Sequence, residues 1–408
     1  MCIIFFLLCT GFTCSARIIK AGKHQPFAVI QQAINSAVAG DTVWVQAGLY
    51  HEKNITVNKS IVLIGNNYPV LDGEYKYEII SVKASDVTVK GFKLIHSGVS
   101  SMEDIAGIKI YNTRNVVISG NILLDAFFGI YVQSGTNCTV ENNQLRASSQ
   151  TEQQSGNGIH CWKSDSLRII GNNIYGHRDG IYFEFVTNSV IWRNISEHNI
   201  RYGLHFMFSH NDAYISNILR NNGAGVSVMF THGVKMFNNY FNDNWGDGAF
   251  GLLLKEISDS YVIGNKFTNN TSGIFMEGAT RLQVEKNEFT NNGWAMKIQA
   301  SCMDNIITGN NFLSNTFDVG TNGSLVLNTF NRNYWDKYEG YDLNKDNTGD
   351  IPFHPVSLFS IIVEKNPPAM MLFRSFMVTL LDKTERILPS LTPENLKDDY
   401  PCMKPLKL

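Results

Sequence analysis

Proline is scarce in this chain, at 10 of 408 residues, and an excess of positive charge is missing: 34 lysines and arginines face 36 aspartates and glutamates. That balance argues against a general nucleic-acid binder, whose electrostatic footprint would be basic. No Cys-x-x-Cys pair occurs among the 7 cysteines. Cys138, Cys161, Cys302 and Cys402 stand at wide spacings, which indicates neither a zinc knuckle nor a disulfide framework. Long apolar runs are also lacking in the C-terminal part. Segments 356–364 and 369–381 are apolar but too short to span a bilayer, and Lys365, Pro367, Pro368 and Arg374 interrupt them.

Glycine, by contrast, is abundant at 33 residues, and asparagine is common with it. Such a composition suits many short strands joined by tight turns better than a helical or disordered chain. The length allows a large core or an extended repeat stack. At the start, Ile3 to Leu8 form an apolar run that continues to Phe12, and Cys14-Ser15-Ala16 offers small residues for a signal-peptidase cut before Arg17. A signal peptide over residues 1–16 is therefore expected, although the usual basic n-region is missing.

The fold is carried by a repeat. Between about Ser85 and Phe330 a Gly-apolar-x-apolar element recurs at Gly107, Gly129, Gly158, Gly180, Gly203, Gly225, Gly251 and Gly273. The period is slightly elastic, short from Gly107 to Gly129 and longest from Gly129 to Gly158. An asparagine follows each glycine at one constant offset, giving Asn121, Asn143, Asn172, Asn194, Asn217, Asn239, Asn265 and Asn287. A fixed offset inside an elastic period means that loops absorb insertions while strands keep register. Alternation places Ile130 and Val132 on one face and Tyr131 on the other. Stacked coils then bury columns of Ile, Val and Phe, and the asparagines can form hydrogen-bonded ladders. Propeller blades would need repeats of roughly 40 residues, and leucine-rich repeats a leucine consensus. The expected fold is all-β: a right-handed parallel β-helix with coils of about 22 residues.

Both ends of such a solenoid need caps. Pro26 is placed to start a helix with Phe27, Ile30, Ile34 and Val38 on one stripe. The expected organisation is an N-terminal cap over 17–40, the β-helix over 41–330, and a partly helical C-terminal tail over 331–408 that caps the solenoid and docks a partner. Val356, Leu358, Phe359, Ile361 and Ile362, on a short segment flanked by prolines, are the apolar surface expected to dock that partner.

The opening Ile30-Gln31-Gln32-Ala33-Ile34, Gly40-Asp41-Thr42-Val43 and Gly48-Leu49-Tyr50 resembles the pectate-lyase-like β-helix superfamily. More specific blocks lie in the second half: Tyr202-Gly203-Leu204-His205-Phe206-Met207-Phe208-Ser209-His210, Asn333-Tyr334-Trp335-Asp336, Gly340-Tyr341-Asp342, Gly349-Asp350-Ile351-Pro352 and Pro355-Val356-Ser357-Leu358-Phe359. Together they resemble the NosD family, periplasmic maturation factors of nitrous oxide reductase. The resemblance implies a non-enzymatic protein outside the cytoplasmic membrane, docked on an ABC transporter permease. It also implies that copper arrives from a membrane-anchored chaperone and goes on to the copper sites of nitrous oxide reductase.

Aligning the coils on their glycines gives columns. Four residues after the glycine stand Glu184, Met207, Met229, Lys255 and Glu277; seven after it stand Thr187, His210, His232 and Ser258; two after it stand His160, Tyr182, His205 and Ser227. With coils about 4.8 Å apart, Met207 is expected to stack on Met229 and His210 on His232, with His205 beside Met207 on the outer face. Thioether and imidazole donors suit a soft ion such as Cu(I). The expected copper ligands are therefore Met207, Met229, His205, His210 and His232, whereas Met276 falls on an inward position. The segment from Asp342 to Asp350 has oxygen donors but lacks the Gly and Glu of an EF-hand loop, so ordinary turn hydrogen bonding is expected there.

A carbohydrate-binding or carbohydrate-cleaving protein is the alternative, because fold alone does not decide function. Cleavage needs carboxylates converging on one face. Glu184 and Glu277 share a column but lie four coils apart, about 19 Å, and Asp247 and Glu256 fall outside that pairing.

Overall fold

The computed structural model describes residues 16–100, 102–323, 327–373, 375–378, 380–381 and 396–408. The expected signal peptide lies outside these residues except for Ala16. Three parallel sheets of 14, 12 and 13 strands wrap around one apolar interior. Each complete coil contributes a strand to each sheet, so strand neighbours in space lie one repeat apart in sequence. The glycine element opens the strands of the 12-stranded sheet, for example Ile181–Glu184 and Tyr202–Met207.

Stacking explains why that position is glycine. A Cβ at Gly158 would lie 2.7 Å from the carbonyl oxygen of Gly180 on the next coil. Inside, Phe241, Phe267, Phe289, Phe312 and Trp335 stack at 4.0–4.9 Å between ring centroids. The asparagines form a buried ladder. Asn217 Nδ2 and its backbone N–H both donate to Asn239 Oδ1 at 3.0 Å, and Asn239 repeats the pattern on Asn265. Amide groups that would otherwise be buried without partners are satisfied in this way on one coil after another. A second ladder, Asn199, Asn222, Asn244, Asn270, Asn292 and Asn315, runs beside it and was not among the expected columns.

The solenoid starts earlier than expected. Ile18–Ala21 is already a strand, paired in parallel with Thr42–Val45. Helix α1 is short, Ile30–Ser36, and begins after Pro26 rather than at it. Glu52 accepts from the backbone of Ile30 and Gln31 at its start, while Lys59 donates to the carbonyls of Asn35 and Ala37 at its end. Val38, expected on the buried stripe, is exposed because the helix ends before it.

At the other end Tyr334–Trp335 closes the 13-stranded sheet, and the last residues return to form a further rung. Asp398 bridges Phe330 and Cys402 bridges Tyr334, both in parallel. The Asp398 carboxylate receives the Asn333 side chain and backbone, the Arg332 backbone and Trp335 Nε1 at 3.0–3.1 Å, which terminates the asparagine ladder. Helix α2, Leu358–Lys365, is capped by Ser357 and lies against the solenoid. Phe359 and Val363 pack with Trp294, Phe317 and Val378, and Lys297 meets Glu364 at 2.6 Å. Val356 and Phe359, expected to offer a docking face, are therefore turned inward. The exposed apolar side chains come later, with Met371 90% and Phe376 82% exposed, beside Met377 and Leu380. No helix among the described residues is long and apolar enough to cross a membrane.

Candidate functional site

The expected donors sit on two neighbouring strands of the 12-stranded sheet, Tyr202–Met207 and Ala224–His232, and on the turn that follows the first. Leu204, Phe206, Val226 and Val228 point into the core, so Met207 and Met229 fall on the outer side. They are register partners on adjacent coils, between Glu184 and Lys255. Both are half-buried. The Tyr182 hydroxyl donates to Met207 Sδ at 3.7 Å and orients that thioether.

Past a corner in the chain, His210 and His232 stack face to face, with ring centroids 4.1 Å apart and planes 19° apart. The buried Thr231 hydroxyl touches both the Ser209 carbonyl and His210 Nδ1, the latter at 3.4 Å. Burial and the neighbouring His232 hold the His210 pKa below its ordinary value of 6.5, which keeps the ring neutral and able to ligate.

The corner itself holds residues outside the expected set. Phe185, Phe208 and Phe230 form an exposed stack with 5.2 Å between successive centroids. All three have left-handed backbones, with φ of 54°, 50° and 56°. A bulky residue rarely adopts that region, and the equivalent positions hold Ser134, Lys163, Glu256 and Gly278. Glycine alignment contains the signal, since each phenylalanine stands five residues after its glycine.

His205 lies on the outer side of the sheet but is covered, with only 5% of its surface exposed. Its Nδ1 faces Asp179 at 3.6 Å, and its ring packs on Tyr182 and Tyr202. It continues a column of Lys109, Tyr131, His160 and Tyr182, each on the next coil, with rings 4.4–4.9 Å apart. Burial, helped by Arg178, drives the His160 pKa to about 3, and burial with Glu184 and Asp179 lifts Tyr182 to about 12. Among the described residues, no three His, Cys, Asp or Glu side chains converge as a metal shell. The outward donors come as two pairs, one of sulfur and one of nitrogen, and such a set favours a soft ion over Mg²⁺ or Ca²⁺.

Glu184 and Glu277 do not pair. Glu277 is engaged by Lys255 at 3.3 Å, and Met207, Met229 and Lys255 separate it from Glu184 in the column. Farther along, Glu78 is buried under Tyr111, whose hydroxyl lies 2.9 Å from both carboxylate oxygens. The Asp342 and Asp346 carboxylates accept backbone N–H groups of their own loop, as expected of a turn.

Three parallel sheets around a single core define a right-handed β-helix protein, and residues 18–166 match the family model described as "Right handed beta helix region". Residues 146–340 match the one described as "Periplasmic copper-binding protein (NosD)". The chain is NosD-like over most of its length. It is 26% identical to the "Probable ABC transporter binding protein NosD" of Pseudomonas aeruginosa over 90% of this chain and 89% of that protein. A protein of the same description from Stutzerimonas stutzeri is 25% identical over 90% and 87%. Among solved structures, the Streptococcus pneumoniae surface adhesin PfbA aligns at a TM-score of 0.57 and 15% identity, covering 71% of this chain and 87% of that one; it shares the fold.

Proposed function

We propose that this chain is an exported, non-enzymatic accessory protein that binds Cu(I) and helps deliver it to nitrous oxide reductase during maturation. Met207, Met229, His210 and His232 are the outward donors, and the covered His205, packed on Tyr182 and Tyr202, lies two residues before Met207 on the same strand. The observation that carries the reading is the in-register pairing of two methionines and two histidines on adjacent coils. A surface position suits transfer, because a partner's ligands can displace the protein's own one at a time. The family description and the names of both relatives support copper and an ABC transporter as the setting.

In this reading the protein works in the periplasm, peripheral on the outer face of the cytoplasmic membrane. Its partners are a transporter permease, a copper chaperone and the reductase. The exposed Met371, Phe376, Met377 and Leu380 are the apolar surface proposed to meet the permease. Separation of Glu184 from Glu277 supports a non-catalytic role. Anaerobic titration against a Cu(I) chelator tests the reading. Met207→Ala with Met229→Ala, and His210→Ala with His232→Ala, are each expected to weaken binding more than about tenfold, a change of roughly 1.4 kcal/mol or more. Unchanged affinity in both would refute the site. Turnover of acidic or neutral glycans, abolished by changing Glu184 or Glu277, would favour the carbohydrate alternative.

A further inference from the structure

A neutral imidazole has one nitrogen that donates and one that accepts, and only the bare nitrogen can bind a metal. His210 could present either. The surrounding hydrogen bonds decide between them. Thr231 lies on the strand Ala224–His232 and is 4% exposed, so water does not compete for its hydroxyl. That hydroxyl has a single hydrogen and two neighbours, the Ser209 carbonyl oxygen and His210 Nδ1. A carbonyl oxygen can only accept, so the hydrogen of Thr231 goes to Ser209. Towards His210 the Thr231 oxygen then has only lone pairs left, and it accepts from an Nδ1 that carries its proton.

We infer that Thr231 is a positioning residue that fixes His210 as the Nδ1–H tautomer and so leaves Nε2 bare at the surface for a soft metal ion. The role as metal ligand rests on the copper reading above; the tautomer does not. Nε2 has no protein partner among the described residues, and it is not one of the buried unpartnered atoms, so it opens to solvent. The stack on His232 restrains the ring plane.

Nitrogen-15 NMR of the histidine side chains in the metal-free full chain, with His210 assigned by a His210→Gln variant, separates the possibilities. The inference expects a protonated, pyrrole-like Nδ1 and a pyridine-like Nε2 in the wild type. Thr231→Ser, which keeps the hydroxyl, should retain that signature; Thr231→Val, nearly isosteric, should lose it. Cu(I) affinity should fall by about 10- to 100-fold in Thr231→Val, as is usual when the partner orienting a metal-bound histidine is removed, and recover in Thr231→Ser. A pyridine-like Nδ1 in the wild type, or an unchanged tautomer in a folded Thr231→Val protein, overturns the inference. If the expected tautomer appears but neither protein binds Cu(I), the tautomer stands and the copper reading fails.

Discussion

His177 is a neutral group enclosed by the solenoid wall, and His160 is a half-buried one packed between Tyr131 and Tyr182 in the outer column. Burial brings their pKa values to about 3 and about 4, against 6.5 for an ordinary histidine. As pH falls below 6.5 the unfolded chain takes up protons that these folded residues refuse. Their contribution to stability is therefore full above about pH 6.5 and is lost as pH falls through the folded values of about 4 and about 3. Asp318 acts in the opposite direction: burial raises it to about 6, so the folded state favours its neutral form at low pH. Because the two effects oppose, side-chain NMR is the clean test. His160 and His177 should show no titration between about pH 8 and pH 5, and a midpoint near 6.5 in either would contradict their enclosure. The left-handed phenylalanines yield a second residue-scale expectation. Phe208→Asn exchanges ring stacking for a residue that tolerates positive φ, so thermal unfolding should register a change within about 1 kcal/mol. A loss several times larger would mean that the exposed stack exists for stability.

Strands and ladders are the scale at which the sequence was most legible. Gly158 and Gly180 mark where a Cβ would run into the carbonyl of the next coil, and the asparagines that follow at a constant offset mark the ladder. The same alignment gave the Met207–Met229 register, since strict alternation leaves no freedom to a strand whose other face is buried. His205 was legible as outward but not as covered. Its enclosure comes from Asp179 and Tyr202, which stand immediately before Gly180 and Gly203, in a column the expected alignment did not use. Asp398 was illegible for a related reason, standing far along the chain from the Asn333 it caps. Removing it in Asp398→Ala leaves the Asn333, Arg332 and Trp335 donors without an acceptor. A cost of about 2–4 kcal/mol is expected, read as a lower urea midpoint. An unchanged midpoint would show that the returning segment does not hold the last coil closed.

The whole molecule is a solenoid closed at both ends. Helix α1 covers one end, while α2 and the returning residues around Asp398 cover the other. Its long outer face carries the sulfur and nitrogen pairs, and the exposed apolar residues Met371 and Phe376 stand on the C-terminal tail. In the proposed reading, copper binding and docking fall on different parts of the molecule. Changing Met371→Ser with Phe376→Ser should reduce co-purification with the permease while leaving Cu(I) affinity intact; undiminished recovery would reject docking through that surface. The central claim, a single Cu(I) held across two coils, is tested most directly by copper K-edge X-ray absorption on the anaerobically loaded protein. The expected spectrum contains both sulfur and nitrogen scatterers, with the sulfur shell lost in the Met207→Ala, Met229→Ala protein. A spectrum of nitrogen and oxygen alone, or one unaltered by removing both methionines, would contradict the site.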